Sequence, residues 1–247
     1  MIFKEKHAVI TGGANGIGKC IAAAFLREGA TVTIIDIDKS AGEELQRNQE
    51  NLHFFHGDIA EKEILEQFVN SLDKPVNCLI NNACIGRGGL LSSCSYEDFE
   101  YVQRVGVTAP FYLTQLLLQK NLLAPNASIV NISSTRANQS QPDTEAYSAA
   151  KGGISALTHA MAISLAGKAR VNTISPGWIE TINVQHSDED NHQHPAGHVG
   201  IPEDIAEMVL FLCSEKASFI TGENITIDGG MSKLMVYHND NGWKLEK

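Results

Sequence analysis

The sequence predicts one α/β domain, a doubly wound parallel sheet of about seven strands with helices on both faces. Three observations lead there. Short apolar or β-branched runs alternate with helical patterns along the chain, a glycine-rich turn joins the first run to the first helical pattern, and polar or acidic residues recur where the runs end.

Taken in order, the expected strands are Ala8 to Thr11, Thr31 to Asp36, His53 to His56, Cys78 to Asn81, Ser128 to Ile132, Ala169 to Ile174 and Asn224 to Ile227. Their near-continuous apolar character suits a parallel sheet covered on both sides. The intervening patterns predict helices over Ile17 to Arg27, Ala41 to Gln49, Lys62 to Leu72, Phe99 to Leu123, Ala146 to Leu165 and Pro202 to Cys213. Asp38 is well placed to cap the second helix. In such folds ligands sit at the carboxyl ends of the strands, where Gly12, Asp36, Asp58, Asn81 and Ser134 all fall.

The turn reads Thr11-Gly12-Gly13-Ala14-Asn15-Gly16-Ile17-Gly18, directly after the first strand and before the first helix. Glycines there allow positive φ, let the backbone approach a pyrophosphate, and leave helix N-terminal amides to meet its charge. The spacing of Gly12, Gly16 and Gly18 is wider than in the standard dinucleotide fingerprint, but the strand-turn-helix context is the one that motif requires. Asp36 ends the second strand, roughly twenty residues on, where an acid hydrogen-bonds the adenosine ribose and repels a 2′-phosphate. The expected cofactor is therefore NAD(H) rather than NADP(H), with Lys39 close enough to soften the repulsion.

Tyr147 and Lys151 stand four residues apart and share one helical face. A neighbouring cation favours the phenolate form and suits the tyrosine to proton transfer. Tyrosine and lysine at this spacing are common on solvated helices. The glycine turn and Ser134, which closes an apolar run upstream, raise this pair above that background.

With these motifs in one order, the chain resembles the short-chain dehydrogenase/reductase family from His7 to about Lys233. Thr11 to Gly18 resembles its cofactor turn, Asp58 its adenine-side aspartate, and Asn81-Asn82-Ala83 its fourth-strand motif. Ser134, Tyr147 and Lys151 resemble its catalytic set, Pro176-Gly177-Trp178-Ile179-Glu180-Thr181 the segment that closes over the nicotinamide, and Asp228-Gly229-Gly230 the end of its last strand. The resemblance implies a Rossmann-like fold and hydride transfer between nicotinamide and a carbonyl/alcohol pair. In that scheme Tyr147 protonates the nascent alkoxide, Ser134 donates a hydrogen bond to the same oxygen, and Lys151 holds the ribose. Gly12, Asn15, Gly16, Ile17, Gly18, Asp36, Asp58, Ile59, Asn82, Ala83, Tyr147, Lys151, Pro176, Gly177, Ile179 and Thr181 are implied to bind the cofactor.

Two positions depart from the family. Gly106 stands where an asparagine usually anchors a water in the proton path behind the lysine, and a water filling the vacated space is the expected substitute; the plainer alternative is that glycine eases a kink near Pro110. Cys84 follows Asn-Asn-Ala where glycine is usual; it is expected first to pack as a small buried side chain, the alternative being a thiol near the cofactor.

The 247 residues carry 43% hydrophobic and 19% charged side chains, which excludes a disordered chain, and a net charge of −10, which disfavours nucleic acid and anionic membranes as partners. The odd and scattered cysteines Cys20, Cys78, Cys84, Cys94 and Cys213 fit a reducing cytoplasm. No apolar run is long enough to span a membrane. Phe99 to Leu123 and Gly152 to Leu165 are apolar around too much of their circumference for one-sided helices, which together with the resemblance implies a homodimer or homotetramer.

The resemblance makes residues 183–199 a substrate lid and leaves 231–247 as a C-terminal tail whose Tyr237, His238 and Trp243 either pack on a neighbour or fray. His186, His192, His194 and His198 raise the question of metal, but Ser187-Asp188-Glu189-Asp190-Asn191 reads as a mobile acidic loop and no metal is expected. The substrate is a small carbonyl or alcohol, with Arg136 and Arg87 as candidates to meet an acidic group on it. Two rival functions remain: a cofactor-binding regulatory or scaffold protein with weakened catalysis, and an epimerase or dehydratase that uses the nicotinamide internally.

Overall fold

The computed structural model describes residues 1–242 and 244, so Trp243 lies outside the described residues. Strands β1 (His7–Thr11), β2 (Thr31–Asp36), β3 (Leu52–His56), β4 (Val76–Asn81), β5 (Leu123–Ile132), β6 (Ala169–Pro176) and β7 (Asn224–Ile227) form one sheet in the order β3-β2-β1-β4-β5-β6-β7. All neighbours pair in parallel. Strand order reverses between β1 and β4, which is the crevice where a doubly wound sheet takes its ligand.

Helices α1 (Gly16–Arg27), α2 (Lys39–Asn48), α3 (Lys62–Ser71), α4 (Tyr96–Gln103), α5 (Ala109–Gln119), α6 (Glu145–Ser164), α7 (Asp188–His192) and α8 (Pro202–Cys213) complete the chain. Successive strand residues face opposite sides, so β1 sends Ile10 into one apolar cluster and Val9 into another. The first joins Ile21 and Phe25 of α1 with Val209 of α8; the second joins Phe68 of α3 with Leu113 and Leu117 of α5. Phe25 and Phe68 are fully buried, each contributing about 1.5–3 kcal/mol. Among the described residues no helix is long and apolar enough to cross a membrane.

Two expectations need correction. The single helix read over Phe99 to Leu123 is interrupted by a π-helical turn at Arg104–Thr108, and α5 stops at Gln119. Asn121 then takes a left-handed backbone (φ 54°), and Leu123 opens β5 beside Val76. A short apolar run carries no information that separates a helix end from a strand start. Residues 187–191 are not a plain acidic loop either: Ser187 and Asp190 form a reciprocal capping box that starts α7. Asp38 caps α2 as expected, its Oδ1 accepting from the Ala41 amide at 3.1 Å.

Candidate active site

The glycine turn bends over the reversal point. Gly12 has φ +64°, and a β-carbon there would lie 2.8 Å from Ala83 Cα; one on Gly18 would run into the Gly12 carbonyl. The turn is tied down from β4. Thr11 Oγ1 accepts from the Asn82 and Ala83 amides, both at 3.1 Å, and Asn82 Nδ2 donates to the Thr11 and Gly12 carbonyls at 3.0 and 2.8 Å. Helix α1 has no acid in its first turn and no side chain on its N-terminal amides, so these donors stay free for an anion. Asn15 instead donates from Nδ2 to Asp38 Oδ2 at 3.0 Å.

A cleft of about 680 Å³ opens here, lined by Gly12, Asn15, Gly16, Ile17, Asp36, Asp58, Ile59, Asn82, Ala83 and Thr181 among others. That volume, the crowded glycines and the uncapped helix fit a dinucleotide. Asp36 has a structural task as well: Oδ2 accepts from the Ala14 amide and Oδ1 from the Asp38 amide, both at 2.9 Å, which leaves lone pairs for ribose hydroxyls. Asp58 is held in the same manner, Oδ1 by the Ala60 amide at 2.9 Å and Oδ2 by the Tyr101 hydroxyl at 2.8 Å. Tyr101, a wall of the cleft, is a contact the sequence reading missed; nothing local links a residue of α4 to the loop after β3.

The sequence-predicted catalytic residues are not among those that line this cleft; they stand on the turn after β5 and on α6. Ser134 follows β5 and is buried; its Oγ accepts from the Arg136 amide at 3.1 Å at the head of a 3-10 turn, Thr135–Ala137. Lys151, only 4% exposed, donates from Nζ to the Ile132 carbonyl at 2.7 Å and lies 5.4 Å from the Tyr147 ring centre. Its own carbonyl accepts from Ser133 Oγ at 2.7 Å, fastening α6 to the end of β5. A buried ladder braces the same ends: Asn81 Nδ2 donates to Asn131 Oδ1, and Asn131 Nδ2 to Thr158 Oγ1.

Other expected site residues are placed differently. Pro176, Gly177 and Ile179 do not line the main cleft: Gly177 packs on Asp228, and Ile179 lines a separate groove with Trp178 and Met208. Of the two arginines, Arg136 lies with its Cζ 5.8 Å from the Tyr147 ring centre, whereas Arg87 turns to α4, paired with Asp98 at 3.5 Å and over the Tyr101 ring. Cys84 is exposed on the cleft wall, not buried as expected, because it lies past the end of β4 where the sheet no longer covers it.

Gly106 is buried within the π turn, and a β-carbon on it would meet Ala150 Cβ at 2.8 Å. The side-chain space expected for a substitute water is thus already occupied by α6. The kink reading fits this position instead, since an absent side chain lets the bulged turn approach the helix that carries Lys151. Among the histidines of residues 183–199, His186 Nε2 meets Glu180 at 2.8 Å, while buried His194 uses Nδ1 on the Asp190 carbonyl. Among the described residues no three His, Cys, Asp or Glu side chains are grouped to hold a metal.

A family model described as Enoyl-(Acyl carrier protein) reductase matches residues 12–232, from the glycine turn to the segment after β7. The chain belongs to the short-chain dehydrogenase/reductase family. It is 41% identical to an uncharacterized oxidoreductase of Thermotoga maritima, over 96% of this chain and 99% of that protein. Among solved structures of this family, an apo SCOR enzyme from Clostridium thermocellum superposes with a TM-score of 0.91 at 46% identity, over 98% of this chain and 99% of that one. A 3-ketoacyl-(acyl-carrier-protein) reductase from Brucella melitensis, solved with NADH, gives a TM-score of 0.83 at 32% identity, over 93% and 99% of the two chains. The protein is thus an oxidoreductase of this family, and the Rossmann-like doubly wound fold is shared along nearly the whole chain.

Proposed function

We propose that this short-chain dehydrogenase/reductase interconverts a carbonyl and an alcohol with NAD(H), using Tyr147 as general acid/base. The observation that carries the reading is the buried Lys151 ammonium beside the Tyr147 ring, fixed by the Ile132 carbonyl. In the reductive direction Tyr147 gives its proton to the carbonyl oxygen while Ser134 donates a hydrogen bond to it. Lys151 would hold the ribose hydroxyls of the bound cofactor. The nicotinamide, when bound, supplies or accepts the hydride. Gly12, Gly16 and the free amides of α1 would hold the pyrophosphate, Asp36 the ribose, and Asp58, Ile59, Asn82 and Ala83 the adenosine side, with Pro176, Gly177, Ile179 and Thr181 assigned to the nicotinamide. Lys39 is drawn toward Glu43 at 3.8 Å, which limits its help to a 2′-phosphate and supports NAD over NADP.

The exposed face of α6 carries Ala149, Ala156, Ala160 and Ile163, and α5 exposes Phe111. Small residues beside large apolar ones suit helix packing against a second copy, so the enzyme is a homodimer or homotetramer, working in the cytoplasm with its cysteines free. Residues 183–199 act as the lid and 231–247 as the tail.

The test follows NADH oxidation with ketones, sugars, 3-oxoacyl thioesters and oxosteroids. Net NADH consumption separates a dehydrogenase from a scaffold and from an internal epimerase. Tyr147→Phe is expected to lower turnover by at least about 10²-fold while NADH still binds; retained turnover, or a higher kcat/KM with NADPH than with NADH, overturns the corresponding part of the reading.

A further inference from the structure

We infer that the substrate carries an oxyanion group, a carboxylate or a phosphoryl group, a few bonds from its carbonyl, and that Arg136 holds it. The inference rests on the reading of Tyr147 as the general acid. Arg136 springs from the turn headed by Ser134, and its guanidinium stands 5.8 Å from the Tyr147 ring centre, so one catalytic ring has two cations beside it, this one and Lys151.

Arg136 is half-buried as a residue, its guanidinium reaches the surface, and it has no acidic partner among the described residues. Among the described residues its side chain forms no ion pair, and its one hydrogen bond goes from Nη2 to the neutral Gln141 Oε1. In this chain of net charge −10, Arg27 meets Glu207 and Arg87 meets Asp98, while among the described residues Arg47, Arg104 and Arg170 form no ion pair either; what sets Arg136 apart is its place beside the Tyr147 ring. The acids next along the chain are committed elsewhere. Asp143 Oδ1 accepts from the Leu91 and Ser92 amides at 2.8 and 3.1 Å, and Glu145 Oε2 from the Leu90 amide at 3.1 Å. Four guanidinium N–H donors therefore remain for a ligand, in the planar fork that matches a carboxylate or phosphoryl group two bonds at a time.

Because the guanidinium and the Tyr147 ring are so close, the anion belongs to the same small molecule as the reacting carbonyl, as in a short oxo acid. In its reduction the carbonyl carbon gains the hydride, its oxygen gains the Tyr147 proton, NADH is oxidised to NAD⁺, and the anionic group passes through unchanged.

The test compares NADH-dependent reduction of acetoacetate with that of methyl acetoacetate, and of acetonylphosphonate with that of its dimethyl ester, in the native enzyme, Arg136→Gln and Arg136→Lys. The expected result is a higher kcat/KM for at least one anion than for its ester. In Arg136→Gln that anion falls at least about 30-fold further than the ester does, with Arg136→Lys in between. The two anions separate carboxylate from phosphoryl recognition. Parallel falls of anion and ester, or an ester preferred by the native enzyme, overturn the inference and leave the oxidoreductase reading standing. Binding is read independently by titrating the NADH complex with oxamate and with neutral oxamide. Saturable oxamate binding that is lost in Arg136→Gln supports the anchor even if no carbonyl turns over, in which case the proposed reaction alone has failed. Oxamate binding that is absent, equal to that of oxamide, or unchanged in the variant overturns it.

Discussion

The Tyr101 hydroxyl donates to Asp58 Oδ2 at 2.8 Å, joining α4 to the loop after β3 across the wall of the cleft. Burial first, and then the Asp58 carboxylate, push the Tyr101 phenol up from 10.0 to about 12, so it is a firm donor at neutral pH. Tyr101→Phe is expected to weaken NADH binding by about 10-fold, the scale of a hydrogen bond to a charged group, with little change in kcat. The raised phenol also sets a pH window. Its contact stabilises the fold fully below pH 10 and is lost as pH rises through about 12, so the native protein sheds an increment of stability over that range that Tyr101→Phe lacks. Denaturant midpoints measured across the alkaline range read this directly.

Gly106 and Ala150 meet where a β-carbon would overlap. Gly106→Ala is expected to destabilise the fold by about 1–3 kcal/mol, the cost of overpacking, at roughly 2–4 °C in Tm per kcal/mol. Restoring the family's asparagine should do more harm, and lower activity with it, because the displaced helix carries Lys151. Ala150→Gly added to Gly106→Ala should recover part of the lost Tm. A stable and faster Gly106→Asn enzyme would mean that the π turn tolerates what its geometry forbids.

Asp143 pins the loop that presents Leu90 and Leu91, both more than four-fifths exposed, to the segment before α6. Its hydrogen bonds, the one with the Ser92 side chain first, hold its carboxyl below the usual 3.8. This depressed acid keeps its contact above that value and loses it only as pH falls lower, so the loop should be equally protected at pH 5 and pH 7. Asp143 has φ 67°, which asparagine tolerates. Asp143→Asn is therefore expected to keep the fold but speed proteolytic cleavage at Leu90 and Leu91, seen by limited proteolysis at unchanged Tm.

The parts of this enzyme that are written locally could be read directly. Strands β1 and β2 follow from apolar or β-branched runs, the glycine turn from its place between strand and helix, and the Tyr147 and Lys151 pairing from a four-residue step. The parts that depend on distant partners could not. Tyr101 is 43 residues from Asp58, and the Asn81 and Asn131 side chains meet across 50 residues. The π turn hides inside a helical pattern because one extra residue barely disturbs a 3.6 period. Exposure at Cys84 depends on where the sheet stops covering the chain, which residue type does not record.

Asp36, proposed to hold the cofactor ribose, also braces the turn with the same carboxylate, since the Ala14 and Asp38 amides both end on it. Exchanging it for a neutral residue to admit a phosphorylated cofactor orphans those two donors at the moment it removes the repulsion. Asp36→Ala should accordingly shift the NADPH to NADH ratio of kcat/KM upward while lowering Tm, and a second change that gives the Ala14 amide a new acceptor should restore Tm without reversing the shift. With the proposed ribose contact, coenzyme choice and loop architecture are coupled at a single codon, so a lineage or a designer that alters one inherits a repair job in the other.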